Sequence, residues 1–165
     1  MSYRWSAPRR VGPAFRPDEW ELLVRLPGQV VVAATSAEAD SPRRTVTEGL
    51  AGIEAIAAGR DSASGLVRDV VAEIYHETDT PPAAEEYRDR ATGIAGVLET
   101  CRQAADVLAV RTAREDADAY RHWIEAIAAR VCHASGGTDL LGFGGPPVSE
   151  SEWHFLAELA AAFDR

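Results

Sequence analysis

The chain has 165 residues and a mass of 17.8 kDa, which suit one domain with a sizeable core. Its 26 acidic residues outnumber its 17 basic ones and give a formal net charge of −9, whereas nucleic-acid binders need an excess of basic side chains to neutralise phosphates. No apolar run approaches the roughly 20 residues that span a bilayer, and the opening segment lacks the apolar centre of a signal peptide. These features predict a cytoplasmic protein without nucleic-acid or membrane partners.

The composition also carries information about origin and redox state. The sequence contains no lysine and no asparagine, so all 17 basic residues are arginine. Because both missing residues use A-rich codons, we expect a GC-rich, bacterial genome. Cys101 and Cys132 have no disulfide-framework spacing, which predicts reduced thiols.

Hydrophobic periodicity predicts an all-α fold, a single-domain bundle of about six helices without a convincing strand. Residues 1–16 have no periodicity, so we expect an extended N-terminal arm before a helical domain at 17–165. The first helix is predicted to begin near Asp18 as its N-cap. Pro27 and Gly28 should break or kink this helix, because proline lacks an N–H donor and clashes with the preceding turn.

The second predicted helix has two candidate starts. Ser41 followed by Pro42 resembles an N-cap and a first helical position, and Thr45 with Glu48 offers a capping box as the alternative. The helix should end near Gly59.

Two further helices are predicted in the middle of the chain. The segment "DSASGLVRDVVAEIYHE" indicates the third, and Thr80 with Pro81 begins the longest. The apolar residues of the longest helix alternate at spacings of four and three, with small residues that allow close helix approach. We call this set the heptad seam; its members are Tyr87, Ala91, Ile94, Leu98, Cys101, Ala105, Leu108 and Thr112.

The last two helices are predicted from their caps and stripes. The fifth spans about 116–134, and its inward residues are Tyr120, Trp123, Ile124, Ile127 and Val131. Ser149 and Glu152 form a capping box that begins the sixth. The inward residues predicted for the sixth are Trp153, Leu156, Leu159 and Phe163.

The two halves of the chain resemble each other. A shift of 100 residues aligns an apolar helix, an acidic turn and a capped helix in each half, and it pairs Leu23 with Trp123, Val24 with Ile124 and Val31 with Val131. We therefore predict a duplicated helical unit with halves at 17–78 and 79–165. The alternative is the general similarity of Ala-rich amphipathic helices.

Several chemistries are disfavoured by helical geometry. Glu73 and His76 form one E-x-x-H, whereas di-iron bundles need two such motifs pointing inward. His122 and His133 share a helix face opposite the apolar stripe. By the same argument all four histidines project outward, which is unsuited to a buried cofactor.

The glycine-rich stretch "GFGGPP" at 142–147 is not a P-loop, because no Lys and hydroxyl residue follow its glycines. Glu150 and Glu152 would repel a phosphate from the next helix N-terminus. With Asp139 they could instead offer oxygen ligands to a hard cation. The alternative is a tight turn in which Phe143 either fills the core or forms an exposed contact.

The stretches "VVVAATSAEADSPRRTVTEGL" and "RVCHASGGTDLLGFGGPPVSESEW" resemble the tellurite-resistance TerB-like helical family. The resemblance implies an all-α, internally repeated protein that acts in stress response and has acidic, metal-binding turns. It would make Asp40 and Glu48 one acidic pair, and Asp139 and Glu152 the other.

These observations favour a non-enzymatic interaction or stress-response module with no catalytic residue. Its partner would be another protein or a second copy, since the Ala-rich heptad seam suits a homodimer. One alternative is a divalent-metal-binding bundle, which could be an enzyme, with no other cofactor; its ligands would be Asp40, Glu48, Asp139, Glu150 and Glu152. Another is an apolar small-molecule binder with its pocket near Trp20, Trp123 and Trp153.

Overall fold

The computed structural model describes residues 14–37, 42–76, 90–134 and 148–164. Within these ranges the chain forms six α-helices and no strand, which confirms the all-α, single-domain bundle. The helices are α1 (Pro17–Ser36), α2 (Pro42–Ala58), α3 (Gly65–His76), α4 (Arg90–Arg111), α5 (Arg114–Ala134) and α6 (Glu150–Phe163), with a 3-10 turn at Gly59–Asp61.

Helices α1 and α5 form the centre of the bundle. Helix α5 packs against the five other helices, and α1 packs against α2, α3, α4 and α5. Large side chains fill the space between them because apolar burial drives the packing. Those that are almost fully buried include Leu23, Leu26, Leu108, Tyr120, Ile124, Ile127, Phe155 and Leu159.

Two contacts fix the relative direction of α2 and α5. Gly52 of α2 lies against Val131, and Gly59 in the 3-10 turn directly after α2 lies against Trp123, so α2 and α5 are antiparallel. The start of α2 and the end of α5 therefore lie at the same end of the bundle. Arg121 near the start of α5 pairs with Asp164 at the end of α6.

The predicted helix starts are partly corrected. Arg16 rather than Asp18 is the N-cap of α1, with Pro17 in the first helical position, where the missing N–H costs nothing. Helix α2 begins at Pro42 as predicted, so Thr45 lies inside the helix and the alternative capping box is wrong.

Pro27 does not break α1, which is continuous from Pro17 to Ser36. Proline has no N–H to donate to the carbonyl four residues earlier, which belongs to Leu23. The Tyr120 hydroxyl of α5 donates to that carbonyl oxygen at 2.7 Å. Because a tertiary hydrogen bond replaces the missing helical one, the helix continues through the proline.

The predicted core faces of α4 and α5 are largely confirmed. Leu98, Cys101 and Leu108 of the heptad seam are buried, Ala104 takes the place predicted for Ala105, and Tyr87 lies outside the described residues. The heptad seam is thus used within the chain. All five inward residues predicted on α5 are buried.

The predicted core face of α6 is wrong at Trp153, which is 59% exposed. Phe155, Leu159 and Phe163 face the core, and Glu152 is buried one turn before Phe155. At about 100° per residue, Trp153 lies on the far side of the helix from Phe155. Relative to the predicted core face, α6 is rotated about its axis, and the capping carboxylate of Glu152 lies on its buried side.

The helix packing lacks the symmetry that a two-fold arrangement of the halves would give. Helix α2 packs extensively on α5, so such an arrangement would pack α6 on α1. Instead, the described part of α6 packs on α4 and α5 and hardly touches α1. The duplication of 17–78 and 79–165 therefore stays a prediction from sequence.

Glu19 joins the start of α1 to the end of α4. Its carboxylate accepts the Arg16 backbone N–H at 2.9 Å and pairs with the Arg111 guanidinium, with a shortest distance of 3.0 Å. These contacts lower the pKa of Glu19 below its usual 4.5, chiefly through the Arg16 backbone hydrogen bond and then through Arg111.

Replacing Glu19 by glutamine should lower the stability at neutral pH but have little effect in strong acid. A carboxyl whose pKa is lowered on folding stabilises the fold at pH values above its pKa in the unfolded chain. This stabilisation is lost as the pH falls through the folded pKa. The difference in urea midpoint between wild type and Glu19→Gln should therefore shrink below pH 4.5, the ordinary value. Glu21→Gln, which alters only an exposed pair with Arg25, is the control. A gap that persists in strong acid would contradict the assignment.

Candidate functional site

The five acids predicted as metal ligands are only partly placed. Asp40 and Asp139 lie outside the described residues. Glu48 and Glu152 are each 2% exposed, and Glu150 is exposed. Glu48 lies on α2, and Glu150 and Glu152 lie on α6.

Glu152 closes the predicted capping box of α6. Its carboxylate accepts the Ser149 backbone N–H at 2.7 Å, while the Ser149 hydroxyl accepts the Glu152 N–H at 3.2 Å. This reciprocal pair satisfies two N–H groups that the helix start would otherwise leave unpaired. One oxygen of Glu152 is thus already committed to the protein backbone.

The described acids do not complete a metal site on their own. Among the residues that the structure describes, no group of three or more His, Cys, Asp or Glu side chains could hold a metal ion. A metal site built from these acids would therefore depend on Asp40 and Asp139. The five-acid site stays a prediction.

All four histidines are exposed, as helical geometry predicted; they are His76, His122, His133 and His154. Within the described residues, His154 Nε2 lies 3.6 Å from Glu158 Oε1, along the surface of α6.

Both cysteines are buried, with Cys101 and Cys132 at most 1% exposed. Burial raises the pKa of the Cys101 thiol to about 12. This thiol is protonated at neutral pH, whereas a nucleophilic cysteine reacts as its thiolate. Cys101 therefore acts as a small apolar residue of the core.

The three tryptophans do not share one interior pocket. Trp20 is 5% exposed beside Phe15, and Trp123 is 8% exposed with its indole N–H donated to the Ala55 carbonyl at 3.3 Å. Trp153 lies on the outer side of α6. A pocket that includes all three is inconsistent with this placement.

The most prominent surface feature is a row of apolar side chains on α2. Val46, Leu50 and Ile53 are 63%, 58% and 56% exposed. Their spacing of four and three places them on one side of the helix, and we call them the α2 stripe. No exposed face was predicted for this helix, although the spacing is visible in "VTEGLAGIEA".

Helix α2 is exposed on this side because its opposite side is fully used. Glu48, Gly52, Ala55 and Ile56 face the bundle. Gly52 allows a very close approach, since a Cβ there would lie 2.6 Å from Val31 Cγ1. Helix α2 therefore has one face in the core and a second apolar face in solvent.

The comparisons with known proteins give no relative from which function could be transferred: no protein-family model, curated protein or solved structure matches this chain. The resemblance to the TerB-like family therefore stays a prediction. Among the described residues, no helix has both the length and the apolar character needed to cross a bilayer.

Proposed function

We propose that this protein is a non-enzymatic interaction module and that the α2 stripe is its docking surface. The observation that supports this proposal is the exposure of three apolar residues on one helix face. More than half of the surface of each is accessible to solvent; they are Val46, Leu50 and Ile53. Single exposed apolar residues are normal on any surface. Three in a row on one face are typical of a contact site, because each exposes area that association would remove from water.

The cellular role that we propose is stress response in a bacterial cytoplasm. The proposal rests on the TerB-like pattern of an apolar helix, an acidic turn and a capped helix, and on the Arg-only composition. It predicts that a strain without the encoding gene is more sensitive to tellurite and that the wild-type gene restores survival. A gene with glutamate at positions 46, 50 and 53 should fail to restore it at equal protein abundance.

The first test of the docking surface is whether its residues can be replaced with little change in the free energy of unfolding. Replacing Leu50 by alanine should change the free energy of unfolding by less than about 0.5 kcal/mol, as for surface positions in general. Replacing the fully buried Leu108 by alanine is the matched control and should cost about 2–5 kcal/mol. Urea denaturation of dilute protein measures both values. A loss above about 2 kcal/mol for Leu50→Ala would show that the chain itself covers this face.

A further inference from the structure

The α2 stripe has the spacing of a short coiled-coil seam. Val46, Leu50 and Ile53 follow the a/d pattern of the heptad repeat. Gly49 lies on the same side of the helix, between Val46 and Ile53, and a Cβ added to it would meet no atom within 4 Å. The stripe therefore combines three large side chains with one open notch.

This pattern is complementary to itself when two copies run antiparallel. Val46 and Ile53 are equally far from the midpoint between Gly49 and Leu50. A two-fold axis at that midpoint sets Val46 of each copy opposite Ile53 of the other, and it brings the two copies of Leu50 together at the axis. We propose that the α2 stripe binds the α2 stripe of a second copy of this chain in this antiparallel register; this rests on the proposed function of the stripe as a docking surface.

The charge pattern of the sequence supports the same register. Arg43 and Glu54 are eleven positions apart, about three helical turns, so helical register places both positions along one edge of the stripe. The two-fold axis brings position 54 of one copy within about one turn of position 43 of the other, and it does so twice. In the monomer, Glu54 has a long, exposed ion pair with Arg130, at 3.9 Å. Such pairs contribute little, so exchange for a new partner costs little.

The packing of α2 within the chain leaves room for this arrangement. The stripe faces away from the side that packs on α1 and α5, so the two bundles would lie on opposite sides of the helix pair. In a parallel pair, positions of the same number would lie level with each other, so position 54 of one copy would be about three turns from position 43 of the other. Only the antiparallel pair brings these positions together.

The oligomeric state tests the proposal directly. Sedimentation equilibrium up to millimolar protein should show the wild type as a monomer–dimer mixture, since small interfaces bind weakly. Leu50→Glu should be monomeric throughout. Val110→Glu alters an apolar residue that is 78% exposed on α4 and should dimerise as the wild type does. A wild type that is monomeric at every concentration, or equal loss in both variants, would overturn the proposal.

The charge pairs test the antiparallel register. Glu54→Arg should weaken the dimer at least several-fold, because it places arginines of both copies near each other. Adding Arg43→Glu should restore most of the affinity by re-forming the pairs in reverse. Absence of restoration in folded double variants would contradict the proposed register.

Cysteine cross-linking gives a second measure of register, because the native thiols are buried. In the antiparallel pair, position 50 of one copy would be offset from position 50 of the other by only about 1.5 Å along the axis, whereas the two copies of position 46 would be offset by about 10 Å. A disulfide needs Cα atoms within about 7 Å. Leu50→Cys should therefore cross-link into dimers under oxidation, and Val46→Cys should not. Equal cross-linking of both would overturn the antiparallel arrangement.

The same Leu50→Cys variant separates the two proposals. In dilute protein, its thiol should react with a maleimide nearly as fast as in urea. Fast labelling in a chain that never dimerises would contradict the proposal that a second copy binds the stripe. The docking surface would then bind a different helical partner. Strong protection in dilute monomer would show a covered face and would overturn the docking surface itself.

Discussion

Replacing Tyr120 by phenylalanine is expected to lower the free energy of unfolding by about 1–3 kcal/mol, the cost of leaving a buried polar group without a partner. The residue is fully buried, and its hydroxyl donates to the Leu23 carbonyl at 2.7 Å. Pro27 cannot supply the helical N–H for that carbonyl. The variant therefore removes this hydrogen bond while leaving the shape of the core nearly unchanged.

A double-mutant cycle with Pro27→Ala tests this explanation. Alanine at position 27 restores the N–H that can donate to the Leu23 carbonyl. The loss caused by Tyr120→Phe should therefore be at least about 1 kcal/mol smaller in the Pro27→Ala background. Equal losses in the two backgrounds would show that Tyr120 does not compensate for the proline. Urea denaturation of the four proteins measures the coupling.

Burial also raises the pKa of Tyr120 well above its ordinary value of 10. A phenol whose pKa is raised on folding stabilises the fold at pH values below its pKa in the unfolded chain. This stabilisation is lost as the pH rises from that pKa through the folded pKa. In a titration followed by tyrosine absorbance, wild type and Tyr120→Phe should differ by the ionisation of Tyr120. This difference should therefore appear only when the protein unfolds in alkali.

Replacing Gly52 by alanine is the second large expected effect, a loss of about 1–3 kcal/mol typical of overpacking. The added Cβ would lie 2.6 and 2.7 Å from the two Cγ atoms of Val31 and 3.1 Å from Val131 Cγ2. Valine in a helix has one strongly preferred rotamer, so Val31 cannot turn aside easily. The clash must then separate α2 from α1 or α5, and the thermal midpoint should fall.

Gly49→Ala is the matched control in the same helix. A Cβ there would meet nothing within 4 Å, and alanine is a better helix former by about 0.5–1 kcal/mol. This variant should therefore gain stability in dilute protein. Val31→Ala in the Gly52→Ala background removes both clashing atoms and should recover part of the loss. A Gly52→Ala protein as stable as Gly49→Ala would contradict the close helix contact.

Much of the fold follows from sequence because local rules agree with the packing. The apolar stripe of α5 has one clear side, and all five residues predicted on it are buried. The rules fail where tertiary contacts dominate. The local chemistry of Pro27 predicts a break in α1. The helix is continuous, and only the fold brings Tyr120 to the carbonyl that the proline leaves without its helical partner. Trp153 was expected inward as a large apolar residue, but the buried cap at Glu152 fixes the other face.

The candidate site was less predictable, for a different reason. Exposure of Val46 and Leu50 depends on which side of α2 packs, and close contact at Gly52 decides this. A glycine carries no apolar signal, so the hydrophobicity pattern does not identify this side of α2 as the one that packs. The position of Glu152 was predictable because capping boxes have fixed spacing, whereas the capping box predicted at Glu48 does not form. Spacing alone does not state whether the turns that carry these acids meet.

The long-range contacts of α1 have a consequence for synthesis on the ribosome. Its carbonyl at Leu23 pairs with a hydroxyl 97 positions later, and Glu19 pairs with a guanidinium 92 positions later. Helix α1 therefore meets these two partners, on α5 and α4, only after the intervening chain has been translated. During that interval the part of its apolar face that packs on α4 and α5 is uncovered, and slow translation before α5 should lengthen the exposure.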